Sequence, residues 1–214
     1  MSYASLSRFA PAENSSTDPN APTLPGTSPR NHAQVGRRRN GAVGKGAKYE
    51  ADYPIIVHSH LCWDWVWQRP QQFISRLSRR HRVLFVETLR PEPELATASA
   101  RFRQLQGFPN ITLLSLQFPA WRWSDGAFVD AERRRLVRDF LAGPGVGRFE
   151  NPVQWFYDPM AVTAFGGHLQ EILTVYDCMD ELASFAGAPP ELAERELELL
   201  ARADVVFTGG RRLF

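Results

Sequence analysis

Three carboxylates lie within five positions of the chain, at Asp177, Asp180 and Glu181. They follow a short apolar run over residues 172–175, which predicts a buried strand. A carboxylate at the end of a strand can act as a general base or bind hydroxyl groups, so all three are candidate catalytic residues. The alternative is that an acidic residue only caps a helix over residues 182–185 by accepting from its free N–H groups.

A tryptophan-rich loop follows an earlier apolar run at residues 54–57. Trp63, Trp65 and Trp67 alternate in this loop and are half of the six tryptophans of the chain. The loop also carries three polar side chains, those of Asp64, Gln68 and Arg69. Flat rings beside polar groups suit a sugar ring, which offers apolar C–H faces and hydroxyls, and they suit ordinary packing equally well. Both interpretations stay open.

A third segment, Thr208-Gly209-Gly210-Arg211, ends another apolar run. Glycines let backbone N–H groups approach an anion and an arginine can pair with it, so Gly209, Gly210 and Arg211 form a candidate phosphate or cleft turn. A plain strand-to-helix turn explains the same residues, because the segment matches neither the dinucleotide nor the P-loop pattern.

Short apolar runs alternate with amphipathic helical patterns along the chain. The predicted strands cover residues 54–57, 83–86, 111–114, 152–157, 172–175 and 203–208. The predicted helices carry apolar residues at helical spacing, at Pro70, Phe73, Ile74 and Leu77, then Val129, Leu136, Val137, Phe140 and Leu141, then Ala193, Leu197 and Leu200. This alternation predicts an α/β fold with a Rossmann-like, doubly wound parallel sheet. The carboxylates and the tryptophan-rich loop would then face one crevice, where strand order reverses.

Composition bounds the class of protein. With 214 residues, 43% of them hydrophobic, and a net charge of +2, the chain suits one domain plus a tail. Residues 1–51 are rich in Pro, Ser, Gly and Arg and show no periodicity, which predicts a disordered basic tail. The Rossmann-like domain is assigned to residues 52–214. The arginine run at residues 37–39 could contact nucleic acid or anionic lipid, but a solvated tail is favoured over both.

The sequence contains no apolar run of about 18 residues and no apolar signal core, which predicts a cytoplasmic protein with room for peripheral contact at the inner face of the membrane. Its two cysteines, Cys62 and Cys178, are too few for a disulfide framework and lack metal-ligand spacing. Free thiols and no metal site are expected.

Four pieces of the chain together resemble the N-terminal half of bacterial GT-B glycosyltransferases of family 1 or 4, including teichuronic-acid-type cell-surface polysaccharide enzymes. The pieces are His60-Leu61-Cys62-Trp63-Asp64 leading to Gln68-Arg69-Pro70-Gln71, Trp155-Phe156-Tyr157-Asp158-Pro159-Met160, residues 175–188 and residues 203–211. Their order and spacing match from about Pro54 onward, which is more specific than any single motif.

The resemblance implies transfer of a sugar from a nucleotide-sugar cosubstrate to a glycan or lipid-linked acceptor of the cell envelope, with no bound cofactor. It implies two Rossmann-like domains, of which this chain is the acceptor-side one. The acceptor-binding positions that carry over are Trp63, Asp64, Gln68, Arg69, Tyr157 and Asp158. On the same side lie the catalytic candidates Asp177, Asp180 and Glu181 and the turn at Gly209 and Gly210.

The donor-binding domain of that family has no counterpart in the sequence. The chain is therefore expected to be truncated, incomplete at its C-terminus, and inactive alone unless another chain supplies the second domain. The alternative function is a non-catalytic Rossmann module that binds a glycan or a partner, or an inactive remnant.

Overall fold

Seven strands form one sheet in the computed structural model of the protein, which describes residues 53–210. The strands are β1 Ile55–Ser59, β2 Val83–Thr88, β3 Ser99–Leu105, β4 Phe108–Gln117, β5 Val153–Phe156, β6 Leu173–Cys178 and β7 Val205–Thr208. The helices are α1 Arg69–Leu77, α2 Gly126–Ala142, α3 Val162–Phe165 and α4 Leu192–Arg202. The predicted tail over residues 1–51 and the predicted site residue Arg211 lie outside the described residues.

The strands lie in the order β3-β4-β2-β1-β5-β6-β7. Every neighbouring pair is parallel except β3 and β4, which are antiparallel. From β1 the chain moves outward through β2 to β3 and β4, and then returns through α2 to β5 on the other side of β1. Strand order therefore reverses between β1 and β5, and the fold is the α/β Rossmann-like sheet that the sequence predicts.

Apolar layers cover both faces of the central strands, as continuous apolar runs in parallel strands require. Along β1, Ile55 and Val57 pack on the side covered by α1, whereas Ile56 packs on the side covered by α2, α3 and α4. Ile74 of α1 and Val137 of α2 are fully buried. Burial of each such side chain stabilises the fold by roughly 1.5–3 kcal/mol, and it fixes the helices that present the loops at the carboxyl edge.

One strand was not expected. None of the predicted strands falls within residues 91–109, but the structure forms β3 there, paired with β4 at the edge of the sheet. Residues 101–104 of β3 are exposed, with Arg101 and Arg103 alternating with Phe102 and Gln104. An exposed edge strand with charged side chains carries no apolar run, so its pattern does not predict burial.

Two helix predictions are wrong. The segment predicted as a helix over residues 182–185 is only a 3-10 turn, Leu182–Ser184. In α4 the predicted apolar face is exposed, with 68% of Leu197 and 43% of Leu200 accessible, and Leu192 and Leu199 are buried instead. Two apolar stripes run along α4, and only packing against the sheet selects between them. No helix within residues 53–210 has the length and apolar character to cross a membrane.

Candidate functional site

The carboxyl ends of β1 and β5 meet where strand order reverses. His60 follows β1, and its Nδ1–H donates to the carbonyl oxygen of Tyr157 at 2.9 Å. Burial lowers the pKa of His60, against the opposing influence of the Asp158 and Asp180 charges. The ring is therefore neutral near pH 7, with two carboxylates close enough to act on it.

Arg69, Tyr157 and Asp177 come together on the α1 side of the sheet, although the sequence places them in three separate segments. The Nη2 atom of Arg69 lies 2.7 Å from Oδ1 of Asp177. The side chain of Asp177 is fully buried, whereas 27% of the Arg69 side chain is exposed. Burial, and then the charge of Asp177, raise the pKa of the Tyr157 hydroxyl. We call these three residues the Arg69 cluster.

The Arg69 cluster contains two buried polar atoms without a hydrogen bond of standard geometry in the described structure, Nε of Arg69 and the hydroxyl of Tyr157. The Tyr157 hydroxyl has the side chains of Asp177 and Trp155 as polar neighbours, and the Asp177 carboxylate is paired with Arg69. A buried polar group left unsatisfied costs about 1–3 kcal/mol. The exposed part of the Arg69 side chain is the part of the cluster that a ligand with hydroxyl groups can reach.

Two glutamines fix the position of Arg69. Gln68 precedes α1, and its backbone N–H donates to the side chain of Gln71 at 3.1 Å. Gln71 is fully buried, and its Nε2 donates to the carbonyl oxygens of Cys62 and Trp63, both at 3.3 Å. Gln68, predicted to bind the acceptor, thus starts the helix that carries Arg69.

Trp63 packs in the core rather than along the crevice. Its side chain is only 6% exposed, and its ring meets the Phe85 ring edge-on with centroids 5.1 Å apart. Its backbone N–H donates to the buried carboxylate of Glu87 at 2.7 Å. Packing is therefore the role of Trp63, while Trp65 and Trp67 are 40% and 51% exposed and can still meet a ligand.

The two carboxylates predicted to bind an acceptor already have protein partners. Asp64 forms an ion pair with Arg103 of β3 at the surface. Asp158 is buried, accepts from the backbone N–H of Met160 at 3.0 Å, and lies 3.6 Å from Nη2 of Arg133. The sequence did not single out Arg133. The feature that could have revealed it is a charged residue at a position of α2 whose spacing predicts burial in the core.

The remaining predicted residues lie at the exits of β6 and β7. Asp180 and Glu181 are exposed, and Glu181 precedes the 3-10 turn without a side-chain capping bond. A Cβ on Gly209 would lie 2.5 Å from the carbonyl oxygen of Met179, whereas a Cβ on Gly210 would meet open space. Gly209 thus allows close backbone approach, and a phosphate role for this turn stays a prediction.

Both cysteines are free, as predicted. Burial, followed by the charges of Glu87 and Asp64, raises the pKa of Cys62 to about 11, so its thiol is protonated at neutral pH. Within the described range no three His, Cys, Asp or Glu side chains converge as a metal-binding group.

No protein-family model and no curated protein matches the chain. Among solved structures, the chain is similar, at 12% identity and a TM-score of 0.46, to an E. coli protein described as trehalose-6-phosphate bound with UDP-2-fluoro glucose, over 75% of this chain and 40% of that one. It is also similar, at 11% identity and a TM-score of 0.42, to an α,α-trehalose-phosphate synthase (UDP-forming) from Burkholderia xenovorans in complex with glucose-6-phosphate, over 71% of this chain and 39% of that one. The chain thus spans about two fifths of the length of these proteins.

Proposed function

We propose that this chain is the acceptor-side half of a glycosyltransferase that uses a nucleotide-sugar donor. The observation that carries the proposal is the Arg69 cluster, in which the start of α1, the exit of β5 and the end of β6 bring polar side chains together at the carboxyl edge of a Rossmann-like sheet. Ligands of α/β folds bind at this edge. The sequence resemblance to GT-B enzymes supplies the reaction class, and a cell-envelope glycan or lipid-linked sugar is the proposed acceptor.

The proposed reaction divides its tasks among the carboxylates. An acceptor hydroxyl attacks the anomeric carbon of the donor, the bond from that carbon to the nucleotide phosphate breaks, and a base takes the hydroxyl proton. Asp180 and Glu181 are exposed and are the proposed bases. Asp177 is fully buried and acts by orienting Arg69. A second domain would supply the donor, and holding donor and acceptor together contributes about 7–11 kcal/mol.

The purified chain should be assayed for sugar transfer with UDP- and GDP-sugars and glycan acceptors, with and without the product of the adjacent reading frame. Transfer only in the presence of the second protein supports the proposal. An Asp180→Ala/Glu181→Ala variant should then lose transfer while it keeps its unfolding midpoint. Absence of both transfer and glycan binding under all conditions would overturn the proposal.

The full burial of Asp177 favours a second candidate function. A carboxylate with no exposed surface touches no substrate without rearrangement, so the cluster can also serve a non-catalytic module that binds a glycan or a partner protein. Glycan binding without transfer in the same assay, with the second protein present, would select this function.

A further inference from the structure

A pocket of about 630 Å³ opens on the face of the sheet opposite the Arg69 cluster. Its walls come from the start of α2, from the turn after β5 and from the segment leading into α4. Each of these segments follows the carboxyl end of a parallel strand, so the pocket lies at the edge where Rossmann-like sheets bind ligands. None of its lining residues is among the site residues that the sequence predicts. We call it the α2–α4 pocket.

Two side chains of the α2–α4 pocket hold unused donors. The Nη2 atom of Arg195 lies 3.0 Å from Oδ2 of Asp130, and the two side chains are 20% and 13% exposed. The other terminal nitrogen of Arg195, Nη1, is buried and has no hydrogen-bond partner in the described structure. The hydroxyl of Thr163 is in the same state. Both donors are covered, so ligand hydroxyls reach the exposed part of the Arg195 side chain and the Asp130 carboxylate beside it.

The charges of the α2–α4 pocket balance. Arg133 and Arg195 line it together with the carboxylates of Asp130 and Glu191. Arg133 also lies 3.6 Å from Asp158 outside the pocket, which offsets its charge further. Burial raises the pKa of Asp130, against the charges of Arg133, Arg195 and Arg134. A pocket without excess positive charge gives a phosphate or carboxylate ligand no electrostatic advantage, whereas mixed donors and acceptors suit an uncharged hydroxyl-rich molecule.

An aromatic wall completes the α2–α4 pocket. The ring of Trp123 lines it and is held by Phe118, with ring centroids 5.4 Å apart. Met160 and Pro190 add apolar surface. An aromatic face beside convergent polar groups is the combination that binds sugar rings, because their C–H faces stack while their hydroxyls donate and accept.

We infer that the α2–α4 pocket binds an uncharged sugar unit. The inference rests on the proposed function only where it identifies the sugar as part of the acceptor. Sugar binding itself needs neither a donor nor a second domain. It places one sugar unit of the acceptor between α2 and α4, on the face of the sheet opposite the Arg69 cluster. Arg195 and Asp130 are then specificity-determining residues that hold its hydroxyls.

Binding to the full chain should be followed by the NMR signal of the Trp123 indole N–H during titration with glucose, galactose and N-acetylglucosamine. Inorganic phosphate and glucose 6-phosphate serve as charged probes. At least one neutral sugar should shift the Trp123 signal, and Asp130→Asn and Arg195→Gln should each weaken its binding at least fivefold. Arg135→Met, on the exposed side of α2 and outside the pocket, should leave binding unchanged.

Three outcomes would overturn the inference: no neutral sugar shifts the Trp123 signal, only the charged probes do, or both pocket variants bind as the unaltered chain does. Circular dichroism establishes that each variant is folded. Because two independent substitutions are made, the test still holds if one variant does not fold. Sugar binding here combined with failure of every transfer assay would contradict the proposed function and leave this site standing. Transfer without sugar binding in this pocket would support the proposed function and contradict this inference.

Discussion

Arg69 and Asp177 form an ion pair of 2.7 Å that joins the first turn of α1 to β6, across the point where strand order reverses. α1 connects β1 to β2, so the contact links the two halves of the sheet. A buried ion pair adds little net stability compared with apolar packing, but loss of one partner leaves a buried charge alone. The pair is therefore better explained by the position it gives to Arg69 than by the stability it adds.

We expect Arg69→Met to destabilise the chain by about 3 kcal/mol or more, because the fully buried Asp177 carboxylate would lose its counter-charge. Arg69→Met combined with Asp177→Asn should recover most of that loss, since no buried charge remains. Urea unfolding of the two single variants and the double variant gives the coupling free energy directly.

Arg76→Met is the matched control, because Arg76 lies on the same helix and is exposed. Its unfolding free energy should change by no more than about 0.5 kcal/mol. Equal effects of the two arginine substitutions would show that Asp177 does not depend on its ion pair.

The adjacent glycines Gly209 and Gly210 should respond differently to alanine. A Cβ at position 209 would lie 2.5 Å from the carbonyl oxygen of Met179, so the exits of β6 and β7 would have to separate. We expect Gly209→Ala to cost about 1–3 kcal/mol, as overpacked sites do. Gly210→Ala meets nothing within 4 Å and should be neutral or slightly stabilising. Thermal unfolding of both variants measures this difference. If Gly209→Ala left the stability unchanged, the turn would be free to shift.

The sheet could be predicted from the sequence because its central strands are buried on both faces and read as apolar runs. β1, β2 and β6 show this, with burial nearly continuous along each of them. β3 could not be predicted, because an edge strand faces solvent and its stability comes from pairing with β4 rather than from its own pattern. The buried face of α4 is likewise decided by tertiary packing.

The candidate site, like the sheet, could be predicted only in part from the sequence. Position in the chain was enough to predict that Arg69, Tyr157 and Asp177 lie at strand exits, because a parallel sheet gathers those exits at one edge. The direction of a loop side chain could not be predicted from the sequence. The side to which Trp63 points depends on Glu87 and Gln71, which bind the backbone of its loop. The residues of the α2–α4 pocket are spaced along two helices and one turn, and no local motif marks them.

His58 should make the protein less stable in acid. Burial lowers its pKa to about 3, and its Nε2 bonds the Gln154 side chain at 2.7 Å. The unfolded chain binds a proton at this residue below about pH 6.5, whereas the folded chain binds it only near pH 3. The free energy of unfolding therefore falls as pH drops through this window, by up to about 1.4 kcal/mol per pH unit, and is insensitive to His58 above it.

Urea unfolding between pH 4 and pH 7 measures this dependence, and His58→Gln should reduce its slope by about 1.4 kcal/mol per pH unit. Part of the slope should persist in the variant, because burial also lowers the pKa of His60. NMR provides a direct check, in which the His58 ring signals should not titrate above pH 5. A ring that titrates near pH 6.5 would contradict the prediction.

Tyr157→Phe should separate a ligand-binding role from a structural one. The Tyr157 hydroxyl is buried with Asp177 and Trp155 as polar neighbours but without a hydrogen bond of standard geometry in the described structure, so its removal should change the free energy of unfolding by less than about 1 kcal/mol. Tyr176→Phe is the matched control on the neighbouring strand, because the Tyr176 hydroxyl donates to Glu196. That variant should lose about 1 kcal/mol of unfolding free energy.

If the Arg69 cluster binds the hydroxyls of a ligand, Tyr157→Phe should also weaken glycan binding at least fivefold, which isothermal titration calorimetry would measure. A variant that binds normally and unfolds at lower urea would show instead that the hydroxyl supports the fold and takes no part in recognition.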